Sequence, residues 1–200
     1  MSPDVSSPWQ EFCRTCMECK ACSLYKERKQ AVIWRGSVKA PLLILGEGPG
    51  AQEDLQGKPF VGRSGMMLDD LLEALQIPED KFHIANVVKC RPPGNRAPSV
   101  EEARACRPLL NKQFQFVQPQ VIMLMGASAY KFFTGDLDGK ISQVRGQWIH
   151  KGPYWILPTF HPAYILRNNT QKDKLWDDFK MLRAKMEELD LIEPIMTFIE

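Results

Sequence analysis

The chain has 200 residues, of which 44% are hydrophobic and 25% charged, and a formal net charge of +2. That is enough apolar material for one domain with an ordinary core, and it excludes a disordered or strongly acidic protein. A balance so near neutrality leaves nucleic-acid and small-molecule partners both open, since it can hide a local basic face.

The N-terminal MSPDVSSPWQEFCRTC lacks the basic-then-apolar order of a secretory leader, and no run reaches membrane-spanning length. A cytoplasmic monomer is therefore expected, folded as one domain over residues 1–200. Residues 1–18 are expected at its periphery and residues 172–200 as a final helix and tail. Cysteines come first along the chain: Cys13, Cys16, Cys19 and Cys22 recur every third residue in FCRTCMECKACSL, and Cys90 and Cys106 stand far downstream. Structural disulfides are disfavoured in the cytosol, whereas C-x-x-C turns aim two thiolates at one metal and a second pair completes the coordination. Scattered thiols or a redox pair are the other readings, and spacing does not separate zinc from iron–sulfur.

PLLILGEG (41–48) reads as a buried strand running into a glycine turn, after which Ser64 is positioned to cap the helix GMMLDDLLEALQ. FHIANVVKC (82–90) is a second strand, and RPPGNRAP a loop that its prolines keep from being helical. Ser99 and Glu102 form the capping box of a helix running to Val117. QVIMLMG is a third strand, ASAYKFF a short helix, QWIHKG with YWILPTF a last strand pair, and Lys172 to Leu189 a polar amphipathic helix. Alternating strands and helices with apolar strands predict a three-layer α/β/α domain around a mainly parallel sheet. Ligands in such sheets sit beyond the carboxyl ends of the strands, where GEGPG, Asn86 and His161 all fall. The apolar end LIEPIMTFIE is expected to pack on the domain.

GEGPG does not suit a dinucleotide: Pro49 removes an amide that a pyrophosphate would need, and Glu47, Glu53 and Asp54 repel phosphate. Carboxylates and bare backbone amides around a pocket suit a neutral base better. Asp54 alone reads as a turn cap.

Together GEGPGAQED, GKPFVGRSG, NVVKCRPPGNR and HPAYILR resemble the family 4 uracil-DNA glycosylases, the iron–sulfur members of that superfamily, in order from about Cys19 to Trp176. The resemblance implies that the protein takes uracil out of single- or double-stranded DNA and hydrolyses its glycosidic bond, leaving an abasic site. It gives Phe60 the role of stacking on uracil, and Asn86 that of pairing with O4 and N3–H. The backbone at Gly48 becomes a further base contact, and Glu53 a wall that crowds thymine's methyl. His161 becomes the donor to the developing charge on O2, and Glu47 the carboxylate facing a cation-like sugar or its water. Cys19, Cys22, Cys90 and Cys106 would hold a four-iron–four-sulfur cluster, with zinc as the alternative. Cys13 and Cys16 are then spare, redox-sensitive or alternative ligands. Tyr164, Ile165 and Leu166 would lie on a loop beside the pocket as apolar wedges or begin a packed helix. Arg63, Arg91, Arg96 and Arg167, with Lys89, would contact phosphates, and Tyr164 and Leu166 would also contact the DNA. The competing functions are a non-catalytic iron–sulfur or zinc nucleic-acid-binding module, and a superfamily relative acting on another deaminated base.

Overall fold

The computed structural model of the chain describes residues 7–195. Its strands are β1 (Arg35–Gly36), β2 (Leu42–Gly46), β3 (Phe82–Asn86), β4 (Val121–Met125), β5 (Ile149–Lys151) and β6 (Tyr154–Thr159). They form one sheet in the order β1-β3-β2-β4-β6-β5. The four central strands are parallel, and β1 and β5 flank them antiparallel.

Alternation decides which face each strand residue covers. Leu42, Ile44, Val121, Met123 and Met125 point into one core, with Leu68 and Leu72 of α3 (Arg63–Ala74) and Phe179 and Leu182 of α8 (Lys172–Glu188). Leu43, Leu45, Ile122 and Leu124 point into the other, with Ala103 and Leu110 of α4 (Val100–Val117) and Ala129 of α5 (Ala127–Thr134). Helices on both faces of a mainly parallel sheet make the expected three layers. Among the described residues no helix is long and apolar enough to cross a membrane.

Several local expectations change. The stretch expected at the periphery forms α1 (Ser7–Glu18), whose Trp9, Phe12 and Cys16 are buried in a third cluster with Ile33 and Val38. Beyond the glycine turn lies a short helix, α2 (Ala51–Gln56). Ser64 does not cap α3, which starts two residues earlier with Gly62 at its N-cap; Ser64 faces a cleft instead. Of the two readings of PAYILR, the packed helix is the one found: it forms α7 (Pro162–Arg167), and its Ile165 is fully buried. At the C-terminus Ile192 packs into the first core, whereas residues 196–200 of the apolar tail lie outside the described residues.

His83 shows how closely the third cluster is specified. It is fully buried, stacked on Trp34 with ring centroids 5.6 Å apart. Its Nδ1 lies 2.8 Å from Ser37 O and its Nε2 2.8 Å from Gln113 Nε2, which also donates to Ile33 O. The amide nitrogen must donate at both contacts, so Nε2 carries the lone pair and the ring is neutral. Burial pushes its pKa down from 6.5 to about 3, with the Ser37 contact opposing. The unfolded chain therefore binds a proton that the folded chain refuses, and stability is lost as pH falls below 6.5. From pH 8 to pH 5 this one ring is expected to cost ~2 kcal/mol. Urea titrations at the two pH values check it, and the pH dependence flattens in His83→Gln whatever that variant's own stability.

Candidate active site

The carboxyl ends of β2, β3, β4 and β6 open on a cleft of about 380 Å³ lined by Glu47, Gly48, Glu53, Phe60, Asn86 and His161 among others. Gly46 makes room for two of them. A Cβ there would lie 2.7 Å from the Phe60 ring and 2.4 Å from Asn86 Oδ1. Phe60 is itself bent into the left-handed region at φ 54, with its carbonyl against Gly65, where a Cβ would come within 1.9 Å of the oxygen. Gly46 and Gly65 are thus what a strained aromatic beneath the cleft requires.

The Asn86 side chain is 98% buried at the end of β3, and no protein group hydrogen-bonds its carboxamide among the described residues. A buried amide with no internal partner, facing a cleft, is a group that awaits a ligand.

His161 stands opposite Phe60, with ring centroids 5.5 Å apart and planes inclined by 28°. As N-cap of α7 it accepts the Ala163 N–H at Nδ1, 3.1 Å away. That leaves the proton on Nε2 of the neutral ring. Burial, with Arg167 adding to it and Glu53 opposing, lowers its pKa from 6.5 to about 4. A buried brace holds the strand end before it: Thr159 donates to Asp178 at 2.6 Å, and Asp178 is also held by the Arg145 guanidinium.

The three carboxylates after β2 have separate fates. Glu53 accepts from Gly50 N at 3.1 Å, Val61 N at 2.9 Å and Gly62 N at 2.8 Å, tying the starts of α2 and α3 together at the cleft wall. Asp54 is buried and accepts from Lys29 N at 2.9 Å, anchoring a distant segment rather than capping its own turn. Glu47 lies in the cleft and accepts from the Ser128 hydroxyl at 2.5 Å. Gly48 is pressed against Val88, where a Cβ would be 2.8 Å from the side chain.

Ser128 was missed in the sequence, and the signal was available: GASA follows β4 just as GEGPG follows β2. Asn95 and Met125 are further cleft residues not singled out there, and Ser64, expected only as a helix cap, is another. Of the arginines, Arg96 and Arg167 line the cleft. Arg96 is bound to Glu102 at 2.7 Å, Arg91 to Asn95 at 2.7 Å, and Arg63 is exposed at the start of α3. Tyr164 and Leu166 are exposed on α7, at 38% and 39%.

On the far side of β3, Cys16, Cys19, Cys22, Cys90 and Cys106 line one small cavity with Arg28 and Lys89. Three distant segments therefore bring thiols to a single space, walled by two cations. Arg28 donates to Cys90 Sγ at 3.0 Å, and burial pushes the Cys106 thiol up to about 11 and that of Cys16 to about 12. Thiols so desolvated and flanked by cations fit an anionic thiolate–metal assembly, whose binding displaces their protons. Cys13 does not line that cavity. Among the described residues no group of three such side chains is drawn together tightly enough for a single ion.

The model of the uracil DNA glycosylase superfamily matches residues 33–180. A type-4 uracil-DNA glycosylase of Thermotoga maritima is 42% identical over 158 residues, covering 78% of this chain and 81% of its own. Those of Sulfurisphaera tokodaii and Archaeoglobus fulgidus are 39% and 33% identical, covering 84% and 86% of this chain and 80% and 90% of theirs. With a mainly parallel sheet whose strand ends converge on one cleft, and relatives of this identity over most of its length, the chain belongs to the uracil DNA glycosylase superfamily, in its type-4 family.

Proposed function

We propose that the chain is a uracil-DNA glycosylase that hydrolyses the bond between uracil and deoxyribose in DNA, the opening step of base excision repair. The observation that carries this reading is the Asn86 carboxamide, buried and without a partner among the described residues, in a cleft that Phe60 and His161 also line. A flipped uracil stacks on Phe60 and pairs with Asn86 through O4 and N3–H. Cytosine presents the reversed donor and acceptor there, and leaves buried groups unpaired. As the glycosidic bond breaks, its electron pair moves onto the base. The His161 Nε2–H donates to O2, where that charge gathers, without giving up its proton. Water adds to the cation-like sugar carbon and releases a proton, with Glu47 stabilising the positive charge. Glu53 acts as a positioning residue through the three amides it holds. Arg91, Arg63 and Arg167 supply phosphate contacts, with Tyr164 and Leu166 against the distorted strand.

The cysteine cavity is the place for a four-iron–four-sulfur cluster on Cys19, Cys22, Cys90 and Cys106, which when bound would tie the N-terminal segment, the end of β3 and α4 together. Hydrolysis itself needs no electron transfer. Cys106→Ala is expected to lose the iron, measured as iron and sulfide content with the visible absorption. Zinc in the wild-type protein would reassign the site.

A single-uracil oligonucleotide, with thymine and cytosine controls, tests the function: abasic sites should form only at uracil. No excision by protein with its metal site filled would leave a DNA-binding module or another damaged base. Ser128→Ala, which frees the Glu47 carboxylate to turn, is expected to lower the single-turnover rate about tenfold, or ~1.4 kcal/mol, with DNA affinity unchanged.

A further inference from the structure

Lys89 lies in the core between the cysteine cavity and the base-reading end of β3. Its side chain is 99% buried, and its Nζ donates to Asn86 O at 2.8 Å. Its own carbonyl accepts from Val32 N at 2.8 Å, so the residue is fixed at both ends. It lines the cysteine cavity and not the cleft, which removes it from any role as nucleophile or phosphate contact.

A fully buried amine is driven toward its neutral form and stays an ammonium only where a counter-charge faces it. Among the described residues Lys89 pairs with no carboxylate. The groups around it able to carry negative charge are the thiols of Cys106, Cys16 and Cys90. Uncharged thiols do not balance an ammonium, whereas an iron–sulfur cluster held by four thiolates is an anion. The cation in turn stabilises the cluster and raises its reduction potential, as local charge does at such centres. The same nitrogen donates to the carbonyl of Asn86, the residue whose carboxamide faces the base.

We infer that Lys89 is a positioning residue that couples the two sites, its ammonium serving as counter-ion to the cluster and as the brace holding Asn86. This rests on the reading of the cysteine cavity as a cluster site. It gives that cluster a consequence in the cleft, which a remote structural staple would lack.

The test uses holoenzyme carrying Lys89→Met, which removes charge and donor, or Lys89→Gln, which removes the charge and keeps an N–H. Both variants are expected to lose iron to a chelator about 10- to 100-fold faster than wild type and to show a more negative cluster potential. In Lys89→Met, inhibition by free uracil weakens about tenfold, with a smaller change in kcat, and Lys89→Gln retains more of that inhibition. Iron loss and potential unchanged in both would overturn the inference, as would unchanged uracil inhibition in Lys89→Met. Should neither variant fold, wild-type protein grown with lysine labelled with heavy nitrogen answers: pulsed magnetic resonance of the reduced cluster should detect that nitrogen, and its absence overturns the proposal. Wild-type protein that binds no iron fails the cluster reading itself, which is a different result.

Discussion

His161→Ala is expected to lower kcat for uracil excision about 10²–10³-fold, the usual loss on deleting one preorganised donor to a developing oxyanion, with KM little changed. The donor acts on charge that exists only as the bond breaks, so the ground-state complex hardly senses it. The chain has already set the tautomer, because the Ala163 N–H occupies Nδ1 at 3.1 Å. His161→Gln, which retains an N–H, should recover part of the loss. The ring's pKa of about 4 keeps it neutral at physiological pH. Its contribution should be flat from pH 6 to 8 and fail as pH falls through about 4, where a proton arriving on Nδ1 would displace the Ala163 cap. Single-turnover rates across pH, with DNA affinity measured beside them, check each part. Unchanged excision in His161→Ala would remove His161 from the mechanism.

β2 and β4 were legible as continuous apolar runs, LLILG and VIMLM, and β3 as the short, mostly apolar stretch FHIAN despite its His83 and Asn86. The Ser99–Glu102 capping box was legible because its chemistry is local, with both reciprocal bonds inside four residues. Phe60, Asn86 and His161 were recognisable through motifs, and the strand order already sends Asn86 and His161 to one crevice, yet sequence could not show that Phe60 joins them or that the Asn86 amide has no partner among the described residues. The carboxylates were harder. Asp54 and Glu53 act through backbone amides that only folding brings near, at Lys29 and at Val61. Helix α2 was hidden because its six residues follow a Gly-Pro-Gly turn. In α1 the cysteine spacing of three overlies a second pattern, that of Trp9, Phe12 and Cys16, whose intervals trace one buried helical face. Lys89 was read as a phosphate contact from its charge, and its burial in the core overturns that reading.

Asn86→Leu removes both polar atoms while nearly preserving shape, and should be the most damaging change to base recognition. Asn86 is buried beside Gly46, so water has little room to replace the amide in a filled cleft. A bound uracil would then bury O4 and N3–H without partners, at ~1–3 kcal/mol each. Two such losses imply a fall in kcat/KM of about 10²- to 10⁴-fold. Because the bonds form when the base enters, the loss should fall on KM and on inhibition by free uracil as well as on kcat, unlike that of His161→Ala. Selectivity separates recognition from simple collapse of the cleft. With Asn86 gone, cytosine no longer meets a mismatched donor and acceptor, so the uracil-to-cytosine ratio should shrink even though both rates are low. A variant that stayed folded and kept the wild-type ratio would show that the base is read elsewhere, by the backbone at Gly48 or by His161.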